Sequence, residues 1–126
     1  MIDKNLKYLE SHEWAKLESD GTVTVGISDI AYSQLGDIVF IELPAPGLAV
    51  VQNQSFGVIE SVKAASDIFA PVSGEIIEVN KPLEEAVDTL ADDAYGNWMV
   101  KIKPANPAEY DALLDAEKYA QIAEHD

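Results

Sequence analysis

Apolar and polar residues along this chain fall into short runs separated by turn residues, the pattern of a β-rich domain rather than a helical one. Trp14 to Glu18 reads as a strand, Ser19-Asp20-Gly21 follows, and Thr22 to Ile27 alternates Thr and Val with a period of two. Asp-Gly between two such runs predicts a hairpin. Ser28 is placed to cap a short helix that Gly36 closes, with Ile30, Ala31 and Leu35 near one face. Asp37 to Leu43 reads as a buried strand, and Pro44-Ala45-Pro46-Gly47 breaks it. Leu48 to Val51 and Gln54 to Ser61 read as further strands. Ile68-Phe69-Ala70 reads as another, which Pro71 confines to an end or an edge. Gly74 to Asn80 and Trp98 to Lys103 complete the strands, and Leu83 to Leu90 reads as an irregular helical turn. A helix over 106–124 is predicted at the end: Asn106 as N-cap, Pro107 at the first position, Glu109 at capping-box spacing. Its apolar face would be Tyr110, Leu113, Leu114, Tyr119 and Ile122. No linker or low-complexity tract divides residues 1–126, so the expectation is one mainly β domain with a short inserted helix and a C-terminal helix.

Composition narrows the chemistry. The chain has 23 acidic residues against 8 basic ones and a formal net charge of -15. Every basic residue is lysine, so the planar fork that reads phosphates and base edges is absent. Nucleic acid and anionic membrane surfaces would both repel such a chain. There is no cysteine, which excludes disulfides, zinc–thiolate sites, iron–sulfur clusters and a thiolate nucleophile. Only His12 and His125 are available as imidazoles, too few for a multi-histidine metal centre. No GxGxxG, GxxxxGK or GxSxG motif occurs, and nothing selects a catalytic pair among the many carboxylates. MIDKNLKYLE lacks the apolar core of a signal peptide, and no unbroken apolar run exceeds four residues, as in Ile38 to Ile41.

One lysine stands apart. Lys63 is the only basic residue between Lys16 and Lys81, and it sits between two strand-like segments, where a tight turn projects it into solvent. Ala64 and Ala65 leave its approach unhindered, and Glu60 and Asp67 flank it. An ordinary surface lysine fits these facts equally well. Nearby carboxylates and an exposed turn both favour the charged form, which argues against a catalytic amine of lowered pKa.

The segment from Pro46 to Ile76 (PGLAVVQNQSFGVIESVKAASDIFAPVSGEI) resembles the attachment region of biotinyl and lipoyl domains, in which a lysine at a hairpin tip carries the cofactor. Pro46-Gly47 with Val50 matches the entry to that region, and Gly74 falls eleven residues after Lys63, as in the pattern. Val62 and Ala64 stand where biotin carriers have methionines. The string Glu60-Ser61-Val62-Lys63-Ala64 is similar instead to the glycine cleavage H-protein family. That resemblance extends in order through Leu6-Lys7-Tyr8, Ser11-His12-Glu13-Trp14, Thr24 to Ile27, Leu35-Gly36-Asp37, Glu42-Leu43-Pro44 and the C-terminal helix.

The resemblance implies a barrel-sandwich hybrid of the lipoyl type, with lipoate attached at Lys63 as lipoyl-lysine and Glu60, Ser61, Val62 and Ala64 forming the attachment motif. It implies a carrier rather than an enzyme. The arm accepts an aminomethyl group from the pyridoxal-phosphate-dependent glycine decarboxylase and presents it to the tetrahydrofolate-dependent aminomethyltransferase. It then passes electrons to dihydrolipoyl dehydrogenase; lipoate-attaching enzymes are further partners. Ser11, Glu13 and Asp67 are implied in the cleft that receives the arm, with Glu13 as the ion-pair partner of its amine and His12 as a structural or rim residue. A lipoate relay serving other dehydrogenase complexes would use the same Lys63. The chain departs from the family at Ala91 to Trp98, which lacks a proline and a glycine usual there, and at Gln52-Asn53, where a glycine is common. With no transit peptide visible, the expected location is the bacterial cytoplasm.

Overall fold

Two antiparallel sheets enclose one apolar core in the computed structural model, which describes residues 5–87 and 97–123. The larger sheet holds seven strands. Strand β1 (Lys7–Tyr8) pairs with β2 (Glu13–Leu17), and β2 with β3 (Val23–Ile27) across the predicted Asp20-Gly21 turn. Strand β3 continues to β9 (Val100–Pro104), then β8 (Gly74–Val79), then β5 (Ala49–Val50). The smaller sheet orders β4 (Ile38–Glu42), β6 (Ser55–Ser61) and β7 (Ala65–Phe69). Ala15, Val23, Val25, Ile76, Val100 and Ile102 from the first sheet pack against Ile41, Phe56, Ile59 and Ile68 from the second. The fold is mainly β, as expected.

Helix α1 (Asp29–Leu35) lies between β3 and β4 with the predicted caps. Ser28 Oγ accepts from the Ala31 N–H, and Gly36 takes the positive φ of 79° that ends the helix, its N–H donating to Tyr32. Asn53 stands at φ 70° in the turn between β5 and β6. That left-handed backbone is one that asparagine tolerates better than most side chains.

Two expectations are corrected. Asp37 to Leu43 is not a fully buried strand: Val39 is 53% exposed and Phe40 46%. A register shift between Ile38 and Phe40 on β4 inserts one extra residue, so Ile38 and Ile41 both face inward and the two residues between them face out. The helix over 106–124 is not continuous either. Helix α3 (Ala108–Asp111) is a single turn; β10 (Leu114–Asp115) then pairs with β1, and α4 (Ala116–Ala123) follows. Asn106 Oδ1 does accept from the Ala108 N–H. Glu109 turns away to bind Ser73 through its backbone N–H (2.9 Å) and its hydroxyl (3.0 Å) instead of closing a capping box. Helix α2 (Pro82–Glu85) opens the Leu83–Leu90 segment, whose last residues lie outside the described ones, as do Ala91 to Gly96.

Candidate functional site

Strands β6 and β7 form a hairpin with Glu60 opposite Ala65, so Ser61 to Ala64 make the turn and Lys63 stands at its tip. Two-residue hairpin loops usually rely on residues with positive φ, which Val62 and Lys63 lack. Ser61 supplies the alternative. Its buried hydroxyl accepts from the N–H groups of Lys63 and Ala64, both at 3.2 Å, while its own N–H donates to the Ala64 carbonyl at 2.8 Å. The tip is also tied to the α1–β4 junction, since the Val62 N–H donates to the Asp37 carbonyl at 3.0 Å. Glu60, Val62, Lys63 and Ala64 are exposed, Val62 to 67%. The hairpin is therefore a rigid platform with a free lysine on top.

Lys63 borders a cleft of about 300 Å³ between the hairpin, α1 and the turn before β2. Ala31, Gln34 and Leu35 of α1 form one wall, Ile59, Ser66, Asp67 and Ile68 another, and Ser11, His12 and Glu13 close the far end. The Lys63 stem runs over the end of α1, where a side-chain carbon at Gly36 would sit in ordinary contact, 3.6 Å from Lys63 Cε. The structure thus brings Ser11, Glu13 and Asp67 together with Lys63 although Lys63 and Glu13 are fifty residues apart in sequence. A larger, shallower groove of about 650 Å³ lies beyond Ser11 and Phe69, away from the lysine.

Glu13 is unlike the other acids. It is 2% exposed, with the Ser11 hydroxyl donating to one oxygen and the Phe69 backbone N–H to the other at 2.9 Å. Burial pushes its carboxyl up to about 7 from an ordinary 4.5, against the hydrogen bonds that favour the ionised form. A carboxyl with its pKa raised toward neutrality inside a cleft can both give and hold a proton. Asp67 is exposed at the cleft edge, where it accepts from Ser55 Oγ at 3.1 Å.

His12 is partly buried, with a positive φ of 81°. Its Nδ1 lies 2.6 Å from the Tyr119 hydroxyl on α4, which also lies 2.6 Å from Ser28 Oγ. In the sequence Tyr119 marks only an apolar helix face; no local pattern signals a contact across 107 residues. Among the described residues no group of three or more His, Asp or Glu is placed to hold a metal ion. No helix among them is long and apolar enough to cross a membrane.

Comparison with known proteins gives one answer. The family profile described as Glycine cleavage H-protein matches residues 6–126. The chain is 52% identical over 125 residues to the glycine cleavage system H protein of Nitrosomonas eutropha, covering 99% of this chain and 97% of that one. It is 56% identical over 120 residues to that of Neisseria meningitidis serogroup C, covering 94% of each. Among solved structures, a glycine cleavage system H protein from Mycobacterium marinum superposes with a TM-score of 0.87 at 38% identity, covering 95% of this chain and 97% of that one.

Proposed function

The chain belongs to the glycine cleavage H-protein family, and on that premise we propose that it is a non-catalytic carrier with lipoate joined through an amide to Lys63. It would receive an aminomethyl group at glycine decarboxylase, deliver it to the tetrahydrofolate-dependent aminomethyltransferase, and return to dihydrolipoyl dehydrogenase for reoxidation, in the bacterial cytoplasm. The observation that carries this reading is the exposed Lys63 on a braced hairpin tip at the mouth of a cleft that ends in a buried carboxyl.

The residues present fit the group. Lys63 is exposed for acylation, Ala64 and Ala65 crowd nothing, and the cleft is at the small end of the volumes that hold organic ligands. When bound, the lipoyl group supplies a disulfide that takes up the one-carbon amine and afterwards carries two electrons. The protein's part is position and protons. The Ser61 turn holds the attachment point, and the tether raises the arm's effective concentration at each partner. Ile27, Ala31, Leu35, Ile59 and Ile68 give the cleft apolar walls, which would limit the water around a seated arm. Glu13, whose burial raises its carboxyl pKa to about 7, can pass its proton to an amine entering the cleft and then face it as a carboxylate. The new ammonium in turn lowers the Glu13 pKa, so each group favours the charge of the other. An amine kept protonated has no lone pair with which to drive its own loss.

The test is direct. After incubation with lipoate and an attaching enzyme, intact mass and peptide mapping should find one lipoyl group, on Lys63 alone. Modification spread over other lysines, or none, overturns the proposal. Lys63→Arg should abolish carrier function while shifting stability by less than about 0.5 kcal/mol, as expected of an exposed substitution.

A further inference from the structure

Tyr119 lies outside the cleft, yet its hydroxyl is the point where two cleft-forming elements meet. It is within 2.6 Å of His12 Nδ1, in the turn that carries Ser11 and Glu13, and within 2.6 Å of Ser28 Oγ, the N-cap of α1. A phenol has one proton, so it donates to one neighbour and accepts from the other, and Ser28 Oγ still receives the Ala31 N–H at 3.2 Å. A second tie runs alongside, from the Ser28 N–H to the His12 carbonyl at 2.9 Å. The turn itself resists its own shape. His12 is a non-glycine residue at φ 81°, a conformation that persists only where surrounding bonds impose it. That conformation aims the Ser11 hydroxyl at the Glu13 carboxylate and lets the Leu9 N–H reach the Glu13 carbonyl at 3.0 Å. Tyr119 is itself fixed, fully buried and stacked on Tyr8 with ring centroids 4.3 Å apart and planes within 5°.

We infer that the Tyr119 hydroxyl is a positioning group for the cleft: through His12 and Ser28 it holds the Glu13 carboxyl and the α1 wall in the geometry that receives the arm. The C-terminal helix α4 is then part of the carrier's working machinery. The assignment of the arm to this cleft is the reading proposed above; the positioning is a property of the unmodified chain and is tested there first.

Tyr119→Phe keeps the ring and its stacking and removes only the oxygen. In the unmodified protein, amide hydrogen exchange should accelerate at Ser28, Ala31 and Phe69 on the order of three- to tenfold, the loss of about one hydrogen bond's protection. Phe69 is the telling amide, because it lies on β7 and reports on Tyr119 only through its bond to the Glu13 carboxylate. Leu6→Ala, which loosens the same small cluster of Leu6, Tyr8, Trp14, Ala116 and Tyr119 without touching the hydroxyl, is the control for a general loss of stability. His12→Asn presents an amide oxygen where Nδ1 stands and tolerates positive φ, so it should keep protection at Phe69, whereas His12→Ala should lose it. Exchange at Phe69 unchanged in Tyr119→Phe, or accelerated equally by Leu6→Ala, overturns the inference. In the lipoylated protein loaded with its amine, Tyr119→Phe should release ammonia several times faster, and in a Glu13→Gln background it should bring little further increase. Faster exchange with unchanged release would leave the positioning intact and sink the placement of the arm in this cleft.

Discussion

Glu13 binds its proton more tightly in the fold, at about 7, than an ordinary carboxyl at 4.5. Its contribution to stability is therefore complete below the unfolded value of 4.5, declines as pH rises, and is gone above about 7. That shift amounts to on the order of 3 kcal/mol. Glu13→Gln has no such titration, so its melting temperature should gain on the wild type steadily from pH 4.5 to 7.5; a constant difference would show that Glu13 ionises normally. The same substitution should harm the carrier. Without the carboxylate, spontaneous ammonia release from the loaded protein should rise five- to thirtyfold, the effect of losing ~1–2 kcal/mol of charge interaction; equal rates would pass the protecting role to burial or to Asp67. A variant more stable and less able to hold its cargo is the signature of a buried functional acid. The sequence alone does not reveal this burial. Glu13, Trp14 and Ala15 are consecutive and all buried, because β2 has the main core on one face and the cluster of Tyr8, Trp14 and Tyr119 on the other. Alternation marks only strands with one wet face, so Glu13 is legible as a cleft residue by resemblance alone, while the turn position of Lys63 follows from its place between two strand-like segments.

Among the elements, those defined by local signals match their sequence pattern: the Asp20-Gly21 hairpin, α1 with Ser28 and Gly36, and the end of β7 just before Ala70-Pro71. Those decided by distant partners do not. The bulge in β4 depends on its pairing with β6, and the apolar run Ile38 to Ile41 carries no mark of it. The C-terminal segment breaks because Leu113 belongs to the main core and Tyr119 to the smaller cluster, and because β10 covers the open edge of β1. One local clue to that break exists. Asp115 Oδ1 accepts the Lys118 N–H at 2.8 Å, an N-cap contact that starts α4 afresh. Asp115→Ala should cost about 1 kcal/mol and lower the melting temperature by roughly 4 °C, with lost helical signal in circular dichroism. An unchanged melting curve would mean that α4 is held by packing of Tyr119 and Ala116 alone.

At the scale of the molecule, charge and shape act together. The exposed acids Asp37, Glu42, Glu60 and Asp67 lie on the strands and turns beside the lysine hairpin. The ion pairs Lys16–Glu18, Lys81–Glu84 and Lys101–Glu78 use cations of other elements. Acylation of Lys63, as proposed, would remove the one cation of the hairpin itself, so the face carrying the arm would become more negative on modification. A net charge of -15 on a chain of 126 residues creates a field reaching well beyond contact at low salt, where the screening length is ~30 Å at 0.01 M, and little beyond it at ~8 Å in physiological salt. A shuttle gains from such a field because it speeds encounter without tightening the complex, and successive partners must each let go. Stopped-flow association of the lipoylated protein with glycine decarboxylase should therefore slow on the order of tenfold across that range, with dissociation nearly unchanged. An on-rate indifferent to salt would leave the acidic surface with solubility as its only role, and recognition would then rest on short-range contacts such as the exposed Val39, Phe40 and Val62 beside the hairpin.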